Sequence, residues 1–402
     1  MNKLIITKLQ VNDKEKIFSG LHDGKRFFKV NFDDVDDNQI NIGDIYVCKV
    51  KEVVKNISAA FVEFIPGEKG YLSLDSNNEF IFMNNKNGGG LVPGDELLVQ
   101  LVKLNIGSKY HVVSSGISLS GEYIALNLFK TGVGCSNKIK DSEYKKQSQQ
   151  VILKELDEFK VRTGIQCGAV IRTNAYETQI ENVIEELHVL EEKILIYIEN
   201  SKYLKAPVRI TRGEKEYNSI IKGAYTNEIQ CIVTDQESIY NELLQDDYIV
   251  QKEMELKLYE DNLQPLYKLY DVEGLIKDIT KRNVWLKSGG NLVIDTTEAM
   301  TVIDVNSAKF NNGKSHEKTS YKINLEAAKE IIYQLTLRNI SGIIIVDFIN
   351  MTSDECKENV LEVLRKEAKK DRIKTVVVDM TKLNLVEITR KRISTPVNEQ
   401  IK

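Results

Sequence analysis

The chain reads as a multidomain protein of α/β and all-β parts. Three observations carry that expectation. From Asn41 to Leu119, short alternating strands are broken by Gly and Pro turns, which suits a small closed barrel. Two apolar β-runs, Thr301–Asn306 (TVIDVN) and Ile343–Asn350 (IIIVDFIN), flank the amphipathic stretch Leu325–Asn339, the pattern of a strand–helix–strand unit. A length of 402 residues exceeds what one hydrophobic core ordinarily serves, so two to four domains are expected.

In chain order, residues 3–32 form short strands, with Asp23-Gly24 as a hairpin turn. The acidic stretch Asp33–Asn38 breaks the pattern. The barrel segment follows, with Gly-Asp openers at Gly43-Asp44 and Gly94-Asp95. Within it Phe80–Gly90 (FIFMNNKNGGG) is expected as a mobile loop. A helix follows Ser142, a strand covers Gly168–Ala175, and a helix begins near Thr178 with Ile180, Val183, Ile184, Leu187 and Leu190 on one stripe. Residues 216–280 alternate strands with short helices. Asn291–Asp295 and Met300–Asn306 then form an antiparallel pair. Asn324 is expected to cap the helix Leu325–Asn339, which Ser341-Gly342 ends. Thr352 or Ser353 caps a further helix whose stripe is Cys356, Val360, Leu361, Leu364 and Ala368. The run Arg390-Lys391-Arg392 is either a solvated helix end or an RNA contact, the former being the commoner case.

Composition narrows the function. Hydrophobic residues make up 42% and charged residues 28%, an ordinary globular balance. A net charge of −4 confines any nucleic-acid binding to local basic patches. The five cysteines, Cys48, Cys135, Cys167, Cys231 and Cys356, are far apart without a CxxC. Neither structural zinc nor a disulfide framework is therefore expected, and a reducing cytosol fits. The four histidines show no HxH or HExxH. MNKLIITKLQ is too short and polar for a signal peptide. No run approaches the about 20 apolar residues needed to span a bilayer. A cytoplasmic location is expected.

The candidate chemistry sits in the strand–helix–strand unit. Its strands lie parallel with a right-handed crossover, which brings Asp304 and Asp347 to the same end of the sheet. Two carboxylates converging there can hold one Mg²⁺, with Mn²⁺ as the other candidate, and the ion keeps several waters for phosphate chemistry. Asn306 follows the first Asp. The alternative is that each Asp caps a strand or the next turn. In the barrel segment, Phe61 and Tyr71 are candidate stacking platforms for bases, with Lys103 and Lys109 near the backbone. For Phe61 the alternative is a core position. Arg172 and Thr173, at the end of a strand, can clamp a phosphate, although such a pair is more often surface polarity.

At these residues the chain resembles the ribonuclease E/G family over nearly its whole length. The resemblance rests on AAFVEF (Ala59–Phe64), VIRTNA (Val170–Ala175), SGGNLVIDTTEAMTVIDVNSAKF (Ser288–Phe310) and NLEAAKEIIYQLTLRNISGIIIVDFINM (Asn324–Met351). It implies an RNase H-like domain (1–37 and 216–280) with an inserted S1 barrel of OB type (38–122). A 5′-sensor region (123–215) and a DNase I-like catalytic domain (281–402) complete the implied arrangement. The implied activity is Mg²⁺-dependent endonucleolytic cleavage of single-stranded, A/U-rich RNA, favoured by a 5′-monophosphate and leaving 5′-phosphate and 3′-hydroxyl ends. Residue by residue, Asp304 and Asp347 match the magnesium ligands. Asn306 matches the residue that helps place the attacking water, and Arg172 and Thr173 match the 5′-monophosphate pocket. Phe61, Tyr71, Lys103 and Lys109 match the RNA contacts of the S1 domain.

The chain also departs from the family. The CPxC zinc link that joins protomers has no counterpart, so a zinc-linked dimer is not expected and oligomerisation is left open. Thr381–Leu385 (TKLNL) replaces an Arg-Phe-Gly-Leu-like run, and Asn350 stands where Asp is common. GCSNK at Gly134–Lys138 lacks the basic run that flanks the 5′ pocket. The alternative function is a non-catalytic, S1-containing RNA-binding protein associated with ribosomes. The presence of Asp304, Asn306 and Asp347 favours the enzyme.

Overall fold

The chain crosses between two compact units and returns, so the first unit is built from two separate stretches of sequence. One is Met1–Asp37 with Lys215–Lys402; the other is Asn38–Glu214. The computed structural model describes residues 2–35, 40–74, 79–84, 86, 90–104, 110–213, 215–222, 229–261, 263–307, 316–381, 383–392 and 394–402.

The first unit holds two sheets. In one, the order is Glu255–Leu258, Cys231–Thr234, Lys3–Val11, Lys14–His22, Phe27–Asp34. Lys3–Val11 pairs antiparallel with Lys14–His22 and parallel with Cys231–Thr234. The Asp23 carboxylate closes the next hairpin by accepting from the backbone of Lys25 (2.7 Å) and Arg26 (2.8 Å). Apolar residues cover both faces. Leu4, Ile6, Ile17 and Leu21 pack with Tyr217, Ile239 and Leu243, while Ile5, Leu9 and Phe18 pack with Leu266, Val272 and Leu337. This is why LIIT reads as a continuous run rather than an alternation.

The other sheet carries the candidate chemistry. Its order is Asn283–Trp285, Asn291–Thr296, Met300–Asn306, Gly342–Asp347, Leu385–Arg390, Thr375–Met380. The helices His316–Leu337 and Asp354–Ala368 pack into the same core as one side of it. Leu292, Ile303, Val305, Ile344, Val346 and Ile388 meet Ala328, Ile331, Leu335, Val360 and Leu364 there. Ser353 caps the second helix by accepting from the Cys356 amide, with Asp354 and Glu355 in the first turn. Tyr333 ties the long helix to the first sheet by donating to the Phe27 carbonyl at 2.6 Å.

Two expectations fail in this unit. The long helix begins at His316, so Asn324 is an interior residue and not a cap. The polar turns of KTSYK carry little apolar periodicity, which hid them. Arg390 is the last residue of a strand and is buried, not a solvated helix end. Its Nε meets Asp371 Oδ2 at 2.7 Å, and it donates to Asn339 Oδ1 (3.1 Å) and the Ile340 carbonyl (3.0 Å).

The second unit contains a closed five-stranded barrel, consistent with an OB- or S1-like domain. Ile45–Val54, Ala59–Ile65, Glu68–Ser73, His111–Ser114 and Glu96–Lys103 pair in that order, and Ile45–Val54 pairs with Glu96–Lys103 to close it. The two Gly-Asp openers are the same device used twice. Gly43 (φ 95°) and Gly94 (φ 97°) adopt left-handed backbone. Asp44 and Asp95 then accept from the amides of Asn41 (3.0 Å) and Val92 (2.8 Å). Phe80–Gly90 is not simply a free loop: Phe82 bridges to Leu97, and Leu98 donates to the Ile81 carbonyl at 3.1 Å. Residues 85 and 87–89 of that segment lie outside the described residues, as do 36–39 of the acidic stretch.

The unit's other sheet runs Val133–Cys135, Cys167–Ile171, Ile124–Leu128, Ser118–Ser120. The helices Ser142–Thr163 and Ile180–Ser201 back it through Ile152, Leu156, Val183 and Leu187. The strand expected over Gly168–Ala175 ends at Ile171. A 3₁₀ turn, Thr173–Glu177, follows, and the helix starts at Ile180. Arg172 lies between the strand and that turn: its amide donates to the Tyr123 carbonyl at 2.7 Å, and its guanidinium donates to the Gly121 carbonyl.

Candidate active site and nucleic-acid surface

Asp304 and Asp347 are direct register partners on neighbouring parallel strands. Side chains alternate along a strand. Ile303 and Val305 are buried in the core shared with the helices, so Asp304 projects from the opposite face. Val346 is buried likewise, which turns Asp347 outwards. Val293 lies opposite Asp304, and Asn291 opposite Asn306, so the antiparallel partner supplies the floor on that side. Gly290 is required there, because a Cβ would stand 2.9 Å from the Asn306 carbonyl oxygen.

The Asn306 Nδ2 donates to Asp304 Oδ2 at 2.7 Å. Burial and the neighbouring Asp304 charge both push the Asp347 carboxyl above its ordinary range. A cation between the two would relieve that repulsion. Among the described residues no group of three or more His, Cys, Asp or Glu is placed to hold a metal. The candidate donor set is the two carboxylates, both hard ligands, with the Asn306 amide beside them. It fits a divalent ion that keeps water and takes phosphate oxygen in its remaining positions.

On the barrel, Phe61 and Tyr71 are register partners, and Ala60 and Val62 take the core positions on either side of Phe61. Both aromatics are half-buried, with ring centroids 6.2 Å apart. Tyr71 pairs in turn with Val112, and Val112 with Lys103, so Lys103 stands in the same lateral row and is exposed. Sequence reading missed Tyr110, whose ring centroid lies 4.9 Å from that of Phe61 and which is 47% exposed. Its position beside Lys109 was the available signal. Lys109 itself lies outside the described residues.

At the end of the strand Cys167–Ile171, Thr173 is exposed and its Oγ1 meets Ser136 Oγ at 2.8 Å. Ser136 belongs to the GCSNK run and was not singled out in the sequence. Glu186 accepts from the amides of Glu122 (2.5 Å), Tyr123 (2.7 Å) and Ile124 (3.0 Å), which holds the loop that Arg172 contacts.

A model of the ribonuclease E/G family matches residues 118–393. The chain belongs to the ribonuclease E/G family. It is similar to ribonuclease G of Salmonella typhimurium, 30% identical over 366 residues, covering 87% of this chain and 73% of that protein. It is also similar to two ribonucleases E. The one from Nostoc sp. is 31% identical over 358 residues, covering 87% of this chain and 51% of that protein. The one from Haemophilus influenzae is 30% identical over 411 residues, covering 99% of this chain and 42% of that protein. Among the described residues no helix is long and apolar enough to cross a membrane.

Proposed function

We propose that the protein is a divalent-metal endoribonuclease that cuts single-stranded, A/U-rich RNA in RNA processing or decay, in the cytoplasm. Family membership makes it an endoribonuclease. The choice of Mg²⁺, with Mn²⁺ as substitute, the substrate preference and the 5′-phosphate and 3′-hydroxyl ends are our reading. We further read the barrel as an S1-type domain and the sheet around Cys167–Ile171 as a 5′-sensor region. The two sheets of the other unit are read as RNase H-like and DNase I-like.

The observation that carries this reading is the register pairing of Asp304 with Asp347, with Asn306 bonded to the first. A divalent ion held by these carboxylates would supply positive charge to a phosphate oxygen and acidify a coordinated water. Asp304 and Asp347 would hold it. Asn306, its Nδ2 committed to Asp304, keeps its carbonyl oxygen as an acceptor that aligns the attacking water. Phe61, Tyr71 and Tyr110 stack bases while Lys103 and Lys109 neutralise the backbone; stacking needs unpaired bases, hence the single-strand preference. Arg172 and Thr173, with Ser136, receive the 5′-phosphate.

The test is cleavage of a 3′-labelled A/U-rich single strand, in Mg²⁺ or EDTA, on 5′-monophosphate and 5′-hydroxyl substrates. Wild type should cut only with Mg²⁺ and faster on the monophosphate, and Asp304→Asn and Asp347→Asn should each abolish cutting. RNA binding without cleavage by the wild type would replace the enzyme with a binding protein.

A further inference from the structure

The long helix His316–Leu337 does more than cover the catalytic sheet. Asn324 is fully buried in its interior, and its side chain is matched to one residue of the loop after Asp347. Nδ2 donates to the Ile349 carbonyl at 2.7 Å, and Oδ1 accepts from the Ile349 amide at 3.1 Å. Both halves of the amide are therefore satisfied by both backbone groups of a residue two positions past the carboxylate. Two turns earlier, Glu317 accepts from the amides of Thr352 (3.2 Å) and Ser353 (3.0 Å) and from the Thr352 hydroxyl. Further along the helix, Glu326 accepts from the amides of Lys287 (2.7 Å) and Ser288 (3.0 Å), in the loop that leads into Asn291–Thr296.

Asp347 is the last residue of its strand, so ladder pairing no longer directs the chain beyond it. Phe348 and Met351 bury the loop, but apolar burial is non-directional and leaves the backbone torsions free. The Asn324 amide supplies the missing direction. A buried Asn is a poor choice for a helix interior, where Leu or Ala would serve both propensity and packing better. Its presence is accounted for by the bonds to Ile349.

We propose that Asn324, assisted by Glu317, is a positioning residue that holds the Asp347 loop so that the Asp347 carboxylate stays aligned with Asp304 for one divalent ion. This rests on the metal-centre reading above. Outer groups that orient a metal ligand commonly change metal affinity by about 10- to 100-fold when removed.

The experiment uses the full chain without RNA. Mn²⁺ binding is followed by the spin-resonance signal of the free ion, and amide hydrogen exchange is measured over residues 347–353. Asn324→Ala should speed exchange there by about tenfold or more and weaken Mn²⁺ binding by about 10- to 100-fold. Ile331→Ala, which opens the same core from the same helix, should lower the melting temperature yet leave Mn²⁺ affinity and loop exchange unchanged. Wild-type Mn²⁺ affinity in Asn324→Ala, or equal weakening in Ile331→Ala, would reduce Asn324 to a general packing role and overturn the proposal. Should Asn324→Ala fail to fold, Glu317→Ala at its exposed position carries the test, with weakening of about three- to tenfold expected. Unchanged binding in that variant counts against the proposal. If Asp304→Asn and Asp347→Asn bind Mn²⁺ like wild type, the metal centre itself is misassigned, whatever the exchange data show.

Discussion

Removing the Arg390 guanidinium should destabilise the sheet that carries Asp304 and Asp347 far more than its place in a basic triplet suggests. The side chains of Arg390 and Asp371 are both 0% exposed. Arg390→Met keeps most of the volume but leaves the Asp371 carboxylate buried without its cation. Asp371 would retain the Thr375 hydroxyl (2.6 Å) and the Ile373 amide (3.0 Å), while Asn339 Oδ1 and the Ile340 carbonyl would lose their donor. Breaking one side of a buried pair costs about 3–5 kcal/mol, and a domain has only about 5–15 kcal/mol to lose. Replacing both partners, Arg390→Met with Asp371→Leu, should recover most of that loss, because neither charge is then stranded. The assay is urea unfolding followed by the emission of Trp285, the single tryptophan, which lies in this sheet. With a slope of about 2–3 kcal/mol per molar, Arg390→Met should lower the midpoint by about 1–2 M. A shift below about 0.3 M, or a double variant no more stable than the worse single one, would refute the argument.

Further outcomes follow from other parts of the structure. Phe61→Ala and Tyr110→Ala should each weaken single-stranded RNA binding by about 1–3 kcal/mol in a fluorescence-anisotropy titration. Because the rings touch, the double variant should lose less than the sum. Asp44→Ala should cost about 2–4 kcal/mol in a thermal melt, because the Tyr46 hydroxyl and the Asn41 and Gly213 amides all donate to that buried carboxylate. Burial pushes the Glu191 carboxyl up from 4.5 to about 7, with Glu155 adding to the rise and His188 and Arg162 opposing it. A raised folded value means that stability is full below about pH 4.5 and falls as pH rises through 7, by up to about 3 kcal/mol. Glu191→Gln should flatten the change in urea midpoint between pH 5 and pH 8, and an unaltered slope would assign that change to other groups.

Local signals carried much of the architecture. TVIDVN alternates with a period of two, so burial of Ile303 and Val305 already required Asp304 and Asn306 to share the other face. The apolar run ending on Asp347 and the helical stretch between the two runs imply parallel strands, and that alone places the two carboxylates at one sheet end. The Gly-Asp openers likewise announced turns that need a left-handed glycine and an acceptor at the next position.

What only the tertiary structure decided is which polar groups lose water and what replaces it. Arg390 and Arg392 look alike in the sequence, yet one is buried against Asp371 from the far end of a helix while the other stays exposed. Asn324 reads as a cap because Asn at a helix start is a local preference. Its actual partner, Ile349, is remote in sequence and leaves no periodic trace. Tyr110 against Phe61, and Ser136 against Thr173, are pairings of the same kind. Periodicity and turn chemistry are properties of neighbouring residues, so one sequence displays them. Desolvation and hydrogen-bond partnership depend on residues that meet only when the chain has folded.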